Sequence, residues 1–485
     1  MSFTSIPFFL FLPLVFCLHW SSPRRNWQNG ILVAASYFFY GWWDYRFCFL
    51  MLASSLNDFL AGWWIDRLTK PSARKRVLVL SLGLSLAMLG FFKYFNFFAE
   101  SLALALSVAG WDVDFPTLNI ILPVGISFYT FQTMSYTLDI YFRKCHATTS
   151  LLDYLAFVSF FPQLVAGPIM RATELLPQFH APRVFSASEA REGCRLMLWG
   201  LAKKMVLADN LGAIVDAAYR TPASMGGAEL ALATVCFAFQ IYCDFSAYSD
   251  LAVGAAKLFN LPLKRNFAYP YFSQSLSEFW RRWHISLSTW LRDYVYIPLG
   301  GNRGSRGLTA RNLLLTALTS GLWHGAAWHF VVWGWLHGIY LVAGRIVHPV
   351  PKVRTFPAVP GGEQNLPGPG TVLRMVLVFS LVCLAWVPFR AASLADAAQV
   401  YGKIVSQIAT AGFYVAWSSL VRQHLVVLLF LGAFVVIEWL SRRNWNTFAV
   451  ARAPLLVRWC AYSGLFWVIL CFGTRRTEDF IYFRF

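Results

Sequence analysis

The sequence predicts an all-α polytopic membrane protein. Three observations carry that prediction. The chain has 485 residues, of which 58% are hydrophobic and only 13% charged, whereas soluble domains carry about 25% charged residues. Apolar runs of bilayer-crossing length recur from end to end, and about 20 residues at a rise of 1.5 Å each make one span. The runs are continuous, without the alternation over about ten residues that marks a transmembrane barrel.

In chain order the runs cover residues 3–20, 77–98, 119–141, 230–253, 326–342, 373–387, 425–440 and 455–472. Some hold a lone charge near one end (Lys93, Asp139, Arg374, Arg458), where long side chains snorkel to the interface. The first run lacks a basic leader and a small-residue cleavage site, so it is expected to stay as the first span. The expectation is ten to twelve spans in a single membrane-embedded domain over 1–485, with N-terminal spans in 1–145, a catalytic core in 146–345 and C-terminal spans in 346–485. The nine cysteines are scattered singly with no CxxC pair, which suggests packing residues and gives neither a disulfide framework nor a zinc site.

The net charge is +18. In a membrane chain this excess belongs to basic cytoplasmic loops and calls for no nucleic-acid partner; the partner it implies is the lipid bilayer. Arg24 and Arg25 follow the first run. Arg67, Lys70, Arg74, Lys75 and Arg76 precede the second, and Arg143 and Lys144 follow the third. The loop 99–118 has Glu100, Asp112 and Asp114 but no base. The N-terminus is therefore predicted outside, with the loops near 25, 70 and 144 in the cytoplasm. From 171 to 195 and from 257 to 311 the apolar runs are short and broken by Pro, Gly and charge, so these segments are predicted to be re-entrant or interfacial and not to span. The second is mostly cytoplasmic by its eight bases, Lys264, Arg265, Arg281, Arg282, Arg292, Arg303, Arg306 and Arg311. The stretch 349–370 is predicted to be a surface linker. Beyond Arg390 the pairs Arg442/Arg443 and Arg475/Arg476 flank one run and pull against each other.

Ionisable groups at membrane depth are expensive and usually functional. The densest set is SEFWRRWHISLSTWLRDYVYIPLGG at 277–301, with Arg281, Arg282, His284, Arg292 and Asp293. Forty residues after His284 comes His324 in GLWHG, then His329 and His337. Histidine trades protons near neutrality. Burial among Trp and Leu keeps its ring neutral, the form a general base needs. His329 and His337 are expected to do no more than bond a backbone carbonyl or a neighbouring helix. A metal site is not expected, because His324 and His329 lie about 140° apart on a helix and no carboxylate accompanies His329 and His337. His284 and His324 are harder to set aside, since Gly321 and Gly325 bracket His324 and admit a close approach by a backbone or a substrate. QIYCDFSAYSD at 240–250 gathers Asp244, Ser246, Tyr248, Ser249 and Asp250. It is either an interhelical hydrogen-bond cluster or a substrate contact. GGNRGSRG at 300–307 fits no phosphate-binding loop, and no GxSxG elbow is present, so direct transfer assisted by a histidine base is the simplest chemistry.

The blocks FWRRWHISLSTWLRDYVYIPLGGNR and GLWHGAAWHFVVWGWLHG resemble the membrane-bound O-acyltransferase superfamily. More narrowly they are similar to the bacterial branch that holds the alginate O-acetyltransferase membrane subunits and the D-alanyl transfer proteins of teichoic acids. LPVGISFYTFQTMSYTLDIY, FFPQLVAGPI, QIYCDFSAYSDLAVG, RNFAYPYF and the C-terminal FIYFRF agree. One departure is Phe142, where a basic residue is expected directly after the tyrosine. The resemblance implies a ring of spanning helices around a central funnel in the bacterial cytoplasmic (inner) membrane, with His324 as the catalytic histidine and His284 as the second histidine of the branch. It implies no bound cofactor and a thioester donor from the cytoplasm, acetyl-CoA or an acyl carrier. The acetyl group would pass to an extracytoplasmic polysaccharide such as alginate, directly or through an SGNH-type partner. Trp323, Arg281, Arg282, Arg292 and Asp244 complete the candidate set as substrate contacts; the two WRRW arginines could pair phosphates or anchor an interfacial helix. Two rivals stay open: D-alanyl transfer from a carrier protein, and a transporter with no chemistry, against which stands the lack of an inverted repeat.

Overall fold

The computed structural model of the protein describes residues 1–113, 115, 117–165, 167–347, 367–442, 453–474 and 480–484. Every regular element among them is a helix. They form two compact units, Met1–Met197 with Leu251–Lys264, and Leu198–Asp250 with Arg265–Phe485. Of the expected segment limits, 145 lies in the loop after the helix Ile126–Tyr141 and 345 in the helix Trp328–Val347.

The first unit contains α1 (Ile6–Trp20), α2 (Arg25–Gly41), α3 (Arg46–Arg67), α4 (Pro71–Val108), α5 (Ile126–Tyr141), α6 (Leu151–Ser159) and most of α7 (Ala187–Ala202). α1 and α4 open with proline in their first turn, where an absent N–H removes no helical bond. α4 passes through a π-helical turn at Gly90–Tyr94. The apolar run from 119 becomes helical only at Ile126. Pro123 disfavours helix at the residue before it, and Gly125 turns the chain into α5 at a φ of 75°. α5 packs against α3 at Gly62, where a Cβ would stand 2.6 Å from the Tyr136 ring. Buried Asp58 of α3 accepts hydrogen bonds from Ser81 at 2.5 Å and Ser85 at 3.4 Å on α4.

In the second unit α7 runs through a π turn, Lys203–Ala208, into α8 (Asp209–Arg220). There follow most of α9 (Gly227–Leu258), the short α10 (Leu276–Arg282) and α11 (Ile285–Leu291), a further π turn at Arg292–Tyr296, then α12 (Arg306–His324) and α13 (Trp328–Val347). The unit closes with α14 (Pro369–Arg390), α15 (Leu394–Gln407), α16 (Ala411–Gln423), α17 (Leu425–Ser441) and α18 (Leu455–Phe472). α10 and α11 have seven residues each, too short to cross a bilayer, in line with the broken pattern of 257–311.

Among the described residues five helices are long and apolar enough to cross a membrane, or six if the bent pair α15 and α16 forms one span; α1 and α17 are apolar but shorter. The sequence count of ten to twelve includes shorter and more polar helices such as α5 and α13. Apolar helices differ in what covers them: 83% of the most apolar window of α9 is buried within the protein, against 6% for α18. α9 is thus a core helix, whereas α18 presents its surface outward. Most of the linker expected at 349–370, and Arg443, Arg475 and Arg476, lie outside the described residues.

Candidate active site

His324 is the last residue of α12, and a tight turn sends the chain straight back along α13. Small residues permit this hairpin. A Cβ on Gly321 would lie 2.3 Å from the Phe330 carbonyl oxygen, one on Gly334 2.5 Å from the Ala317 oxygen, and one on Gly325 2.1 Å from the Phe330 ring. The glycines around His324 therefore admit a neighbouring backbone and ring, one of the two expectations for them. The His324 side chain is 3% exposed. Around it stand Trp333 at 4.9 Å between ring centroids, Trp323 at 5.0 Å, Phe389 at 5.3 Å and Tyr482 at 5.5 Å. The carbonyl end of a helix favours a positive charge, so a proton taken up by His324 meets a favourable field from α12.

His284 caps the N-terminus of α11 with φ at 42°, in the left-handed region. Tyr269, in the segment that holds it, is also left-handed, at 52°. Non-glycine residues held this way concentrate at functional sites. The Ile285 N–H donates to the Asn266 carbonyl at 2.8 Å, and the Ala268 N–H to the Arg282 carbonyl at 2.9 Å, strapping the two segments together. Asn266 Oδ1 accepts from the Ser286 N–H at 3.1 Å and the Ser286 hydroxyl at 2.9 Å, and lies 3.2 Å from His284 Nδ1. An oxygen in that role makes Nδ1 the protonated nitrogen and Nε2 the one with the lone pair. Burial pushes the His284 pKa down to about 3, so the ring is neutral near pH 7. Its ring is 5.8 Å from Trp323, which in turn is 5.0 Å from His324. The two histidines thus share one indole as a neighbour.

The other expected residues divide. Trp323 is buried between the histidines. Arg281 is exposed. Arg282 is buried, paired with Glu278 at 2.7 Å and donating to the Ala268 carbonyl at 3.2 Å; it braces the strap that carries His284. Arg292 stands on the π turn after α11, paired with Asp293 at 2.6 Å. Asp244 of α9 has both oxygens engaged, by Lys204 at 2.9 Å and by the Ile481 N–H at 2.8 Å. It tethers the segment that brings Tyr482 to His324, so the hydrogen-bond-cluster reading of QIYCDFSAYSD describes its contacts. His329 bonds the Pro388 carbonyl at 3.0 Å, as expected of it. His337 is fully buried, and neither of its ring nitrogens has a hydrogen-bond partner among the described residues.

Sequence reasoning passed over Asn266, Phe389, Tyr482, Lys203 and Lys204. Lys204 also pairs with Asp209 at 2.7 Å, and Lys203 with Asp250 at 2.8 Å and the Ser246 hydroxyl at 2.8 Å. Two adjacent lysines inside the apolar stretch 199–208 were the available signal. Asn266 and Tyr482 lie in the blocks RNFAYPYF and FIYFRF, which the resemblance marked without giving either residue a role.

A histidine at a helix end that stabilises its protonated form, in a closed aromatic setting beside the neutral His284 ring, suits proton abstraction from a hydroxyl away from bulk water. The model of the MBOAT, membrane-bound O-acyltransferase family, matches residues 144–387, which include both histidines. The chain belongs to this family and is a multi-pass membrane O-acyltransferase. Within it the chain stands in the branch of the alginate acetylases. It is 41% identical over 399 residues to a probable alginate O-acetylase of Azotobacter vinelandii, covering 82% of this chain and 76% of that one. It is 35% identical over 428 residues to a peptidoglycan O-acetyltransferase of Helicobacter pylori, covering 82% and 78%. A teichoic acid D-alanyltransferase of Streptococcus thermophilus is 28% identical over 234 residues, 45% of this chain and 56% of that one.

Proposed function

We propose that this chain O-acetylates an extracytoplasmic polysaccharide such as alginate, with acetyl drawn from a cytoplasmic thioester, acetyl-CoA in the first instance. The group reaches the polymer directly or through an SGNH-type partner outside. The observation that carries the reading is the pair His324 and His284 on either side of Trp323, in a chain whose O-acetylating relatives match 82% of its length. The D-alanylating relative matches 45%, which favours acetyl over D-alanyl.

In this mechanism the neutral His324 takes the proton of an acceptor hydroxyl as its oxygen attacks the thioester carbonyl. The tetrahedral intermediate collapses, the C–S bond breaks, and the imidazolium returns its proton to the departing thiolate. The products are an ester and a thiol, and the histidine ends as it began. Proton transfer of this kind is typically worth roughly 10²–10⁴-fold in rate. His284, neutral and fixed by Asn266, shares the proton handling through the lone pair of Nε2. The basic segment 257–311 draws the anionic donor to the cytoplasmic face, with the N-terminus outside.

The test is transfer of label from radiolabelled acetyl-CoA by purified protein in liposomes, comparing wild type with His324→Ala and His284→Asn. Expected is transfer with wild type and a fall of about 10²–10⁴-fold with His324→Ala at equal folding. Normal transfer by that variant would end the assignment. Turnover with an acylated carrier protein and none with acetyl-CoA would move the reading to D-alanyl-type transfer. Uptake of a substrate without acyl transfer would make the chain a transporter.

A further inference from the structure

The helix α7 leaves regular bonding at Lys203–Ala208, where one π turn leads into α8. Such turns shift carbonyls out of the α-helical ladder, and they are frequent at functional sites. Here the carbonyls have other partners. The Met205 carbonyl accepts from the Thr474 N–H at 3.1 Å and from Asn210 Nδ2 at 3.3 Å. The Val206 carbonyl accepts from the same Nδ2 at 2.9 Å, and Asn210 also donates to the Phe472 carbonyl at 3.0 Å. Asp209 Oδ2 accepts from the Thr474 hydroxyl at 3.3 Å. The end of α18 is thus fastened to the π turn.

A second fastening lies at Ile481. Its N–H donates to Asp244 Oδ2 at 2.8 Å. The other Asp244 oxygen meets Lys204 at 2.9 Å, and Lys204 meets Asp209 at 2.7 Å. Asp209 therefore serves the first fastening directly, and buried Lys204 joins it to the second. The same ammonium stands 5.7 Å from the Tyr248 ring, within the reach of a cation–π attraction. Tyr248 in turn packs on Phe480 at 4.3 Å. Backbone, charge and aromatic contacts converge on one short 3₁₀ turn, Ile481–Arg484. That turn carries Tyr482. Its ring is 5.5 Å from His324 and 4.6 Å from Phe245, which is itself 4.6 Å from His284. The other rings around His324, those of Trp323, Trp333 and Phe389, belong to the long helices α12, α13 and α14. A four-residue turn is too short for helical bonding alone to hold it.

We propose that Lys204 and Asp244 are positioning residues for acyl transfer, fixing the turn Ile481–Arg484 so that Tyr482 stands against His324. The assignment rests on the acyltransferase reading and deepens it. A cluster that served stability alone could meet Asp244 with side chains, as Lys203 meets Asp250. Asp244 instead commits one oxygen to a backbone N–H 237 residues away, beside the one ring of the His324 chamber that no long helix holds. Lys204 keeps that carboxylate charged and aimed, and it ties its place to the π turn. Neither residue touches the reacting atoms; both act through Tyr482.

The test removes the bond and spares its surroundings. Ile481 opens its turn, a position where proline is tolerated because its missing N–H breaks no helical bond. Ile481→Pro therefore deletes the donor to Asp244. It is measured in liposomes with labelled acetyl-CoA beside wild type, Asp244→Ala and the double variant, per folded molecule by size exclusion. A misplacement of about 1 Å can cost roughly 100-fold in rate. Expected for Ile481→Pro is kcat down about 10- to 100-fold with KM for acetyl-CoA little changed. The double variant is expected to be no worse than Asp244→Ala, because both changes remove one bond. Asp244→Asn, which keeps an oxygen for the N–H, is expected to recover part of the loss. A second readout needs no turnover: diethyl pyrocarbonate is expected to modify His324, 3% exposed in wild type, faster in Ile481→Pro. Unchanged kcat per folded molecule in Ile481→Pro would overturn the proposal, and so would losses that multiply in the double variant. Transfer retained by His324→Ala would instead sink the acyltransferase reading, while the modification rate would still report whether the turn is held, so the two failures are separable.

Discussion

Two buried polar regions of the second unit are built on opposite plans. Around the π turn of α7 every charge is met: Lys204 by Asp209 and Asp244, Lys203 by Asp250 and Ser246, and Asp244 in addition by the Ile481 N–H. Around a cavity by α12 and α13, His337, Ser320, Trp280 and Trp333 have polar atoms that no described residue satisfies. Both regions contain residues that sequence alone marks as costly to bury. The difference is whether partners were built in. The first region commits its polar groups to one another, and the second leaves four of them uncommitted among the described residues. Polarity at membrane depth therefore has a meaning only once partners have been counted.

Substitutions sharpen this contrast. Lys204→Met leaves Asp209 and Asp244 buried with too little positive charge. Removing one partner of a buried ion pair typically costs about 3–5 kcal/mol, so the unfolding midpoint in detergent is expected to drop by many degrees. An unchanged midpoint would break the comparison. Gly321→Ala forces a methyl group against the Phe330 carbonyl, where a Cβ has 2.3 Å. Overpacking of that sort costs about 1–3 kcal/mol, read as a lower midpoint together with slower turnover, because the same residue spaces the hairpin that ends at His324. Asn266→Ala removes the acceptor that sets the His284 tautomer. The expected result is kcat per folded molecule down about tenfold with KM for the donor little changed, and a lower unfolding midpoint, because the Ser286 N–H and hydroxyl also lose their acceptor at about 1–3 kcal/mol; normal turnover per folded molecule would make Asn266 structural. The smallest effect is expected for His337→Phe, whose midpoint stays level or rises, since replacing an unsatisfied polar group by an apolar one of similar shape is near neutral.

Much of this was legible in the sequence, and the boundary of legibility has physical causes. Continuous apolar runs gave helices at each of the eight stretches, with one start displaced from 119 to Ile126 by Pro123 and Gly125. The WRRWH and LWHG blocks flagged two histidines that the fold brings to one indole. The sequence left Arg282 open between pairing phosphates and anchoring an interfacial helix, and the fold instead pairs it with Glu278, four residues earlier, at 2.7 Å. The contact of Asp244 with Ile481 spans 237 residues and has no local trace. Nor could the sequence separate His329 from His337. Both follow aromatic or apolar neighbours on α13, and only the position of Pro388 decides that the first has a carbonyl to bond.

The left-handed backbone of His284 has one more consequence. A side chain there works against its own Cβ, at about 1–2 kcal/mol, a burden that glycine would not carry. His284→Gly would relieve that strain but empty a fully buried place packed against the Phe245 and Trp323 rings, and a loss of that size in a core typically costs about 2–5 kcal/mol. The backbone disfavours a side chain here and the packing requires one, so the strain is carried by the same contacts that hold the imidazole in place.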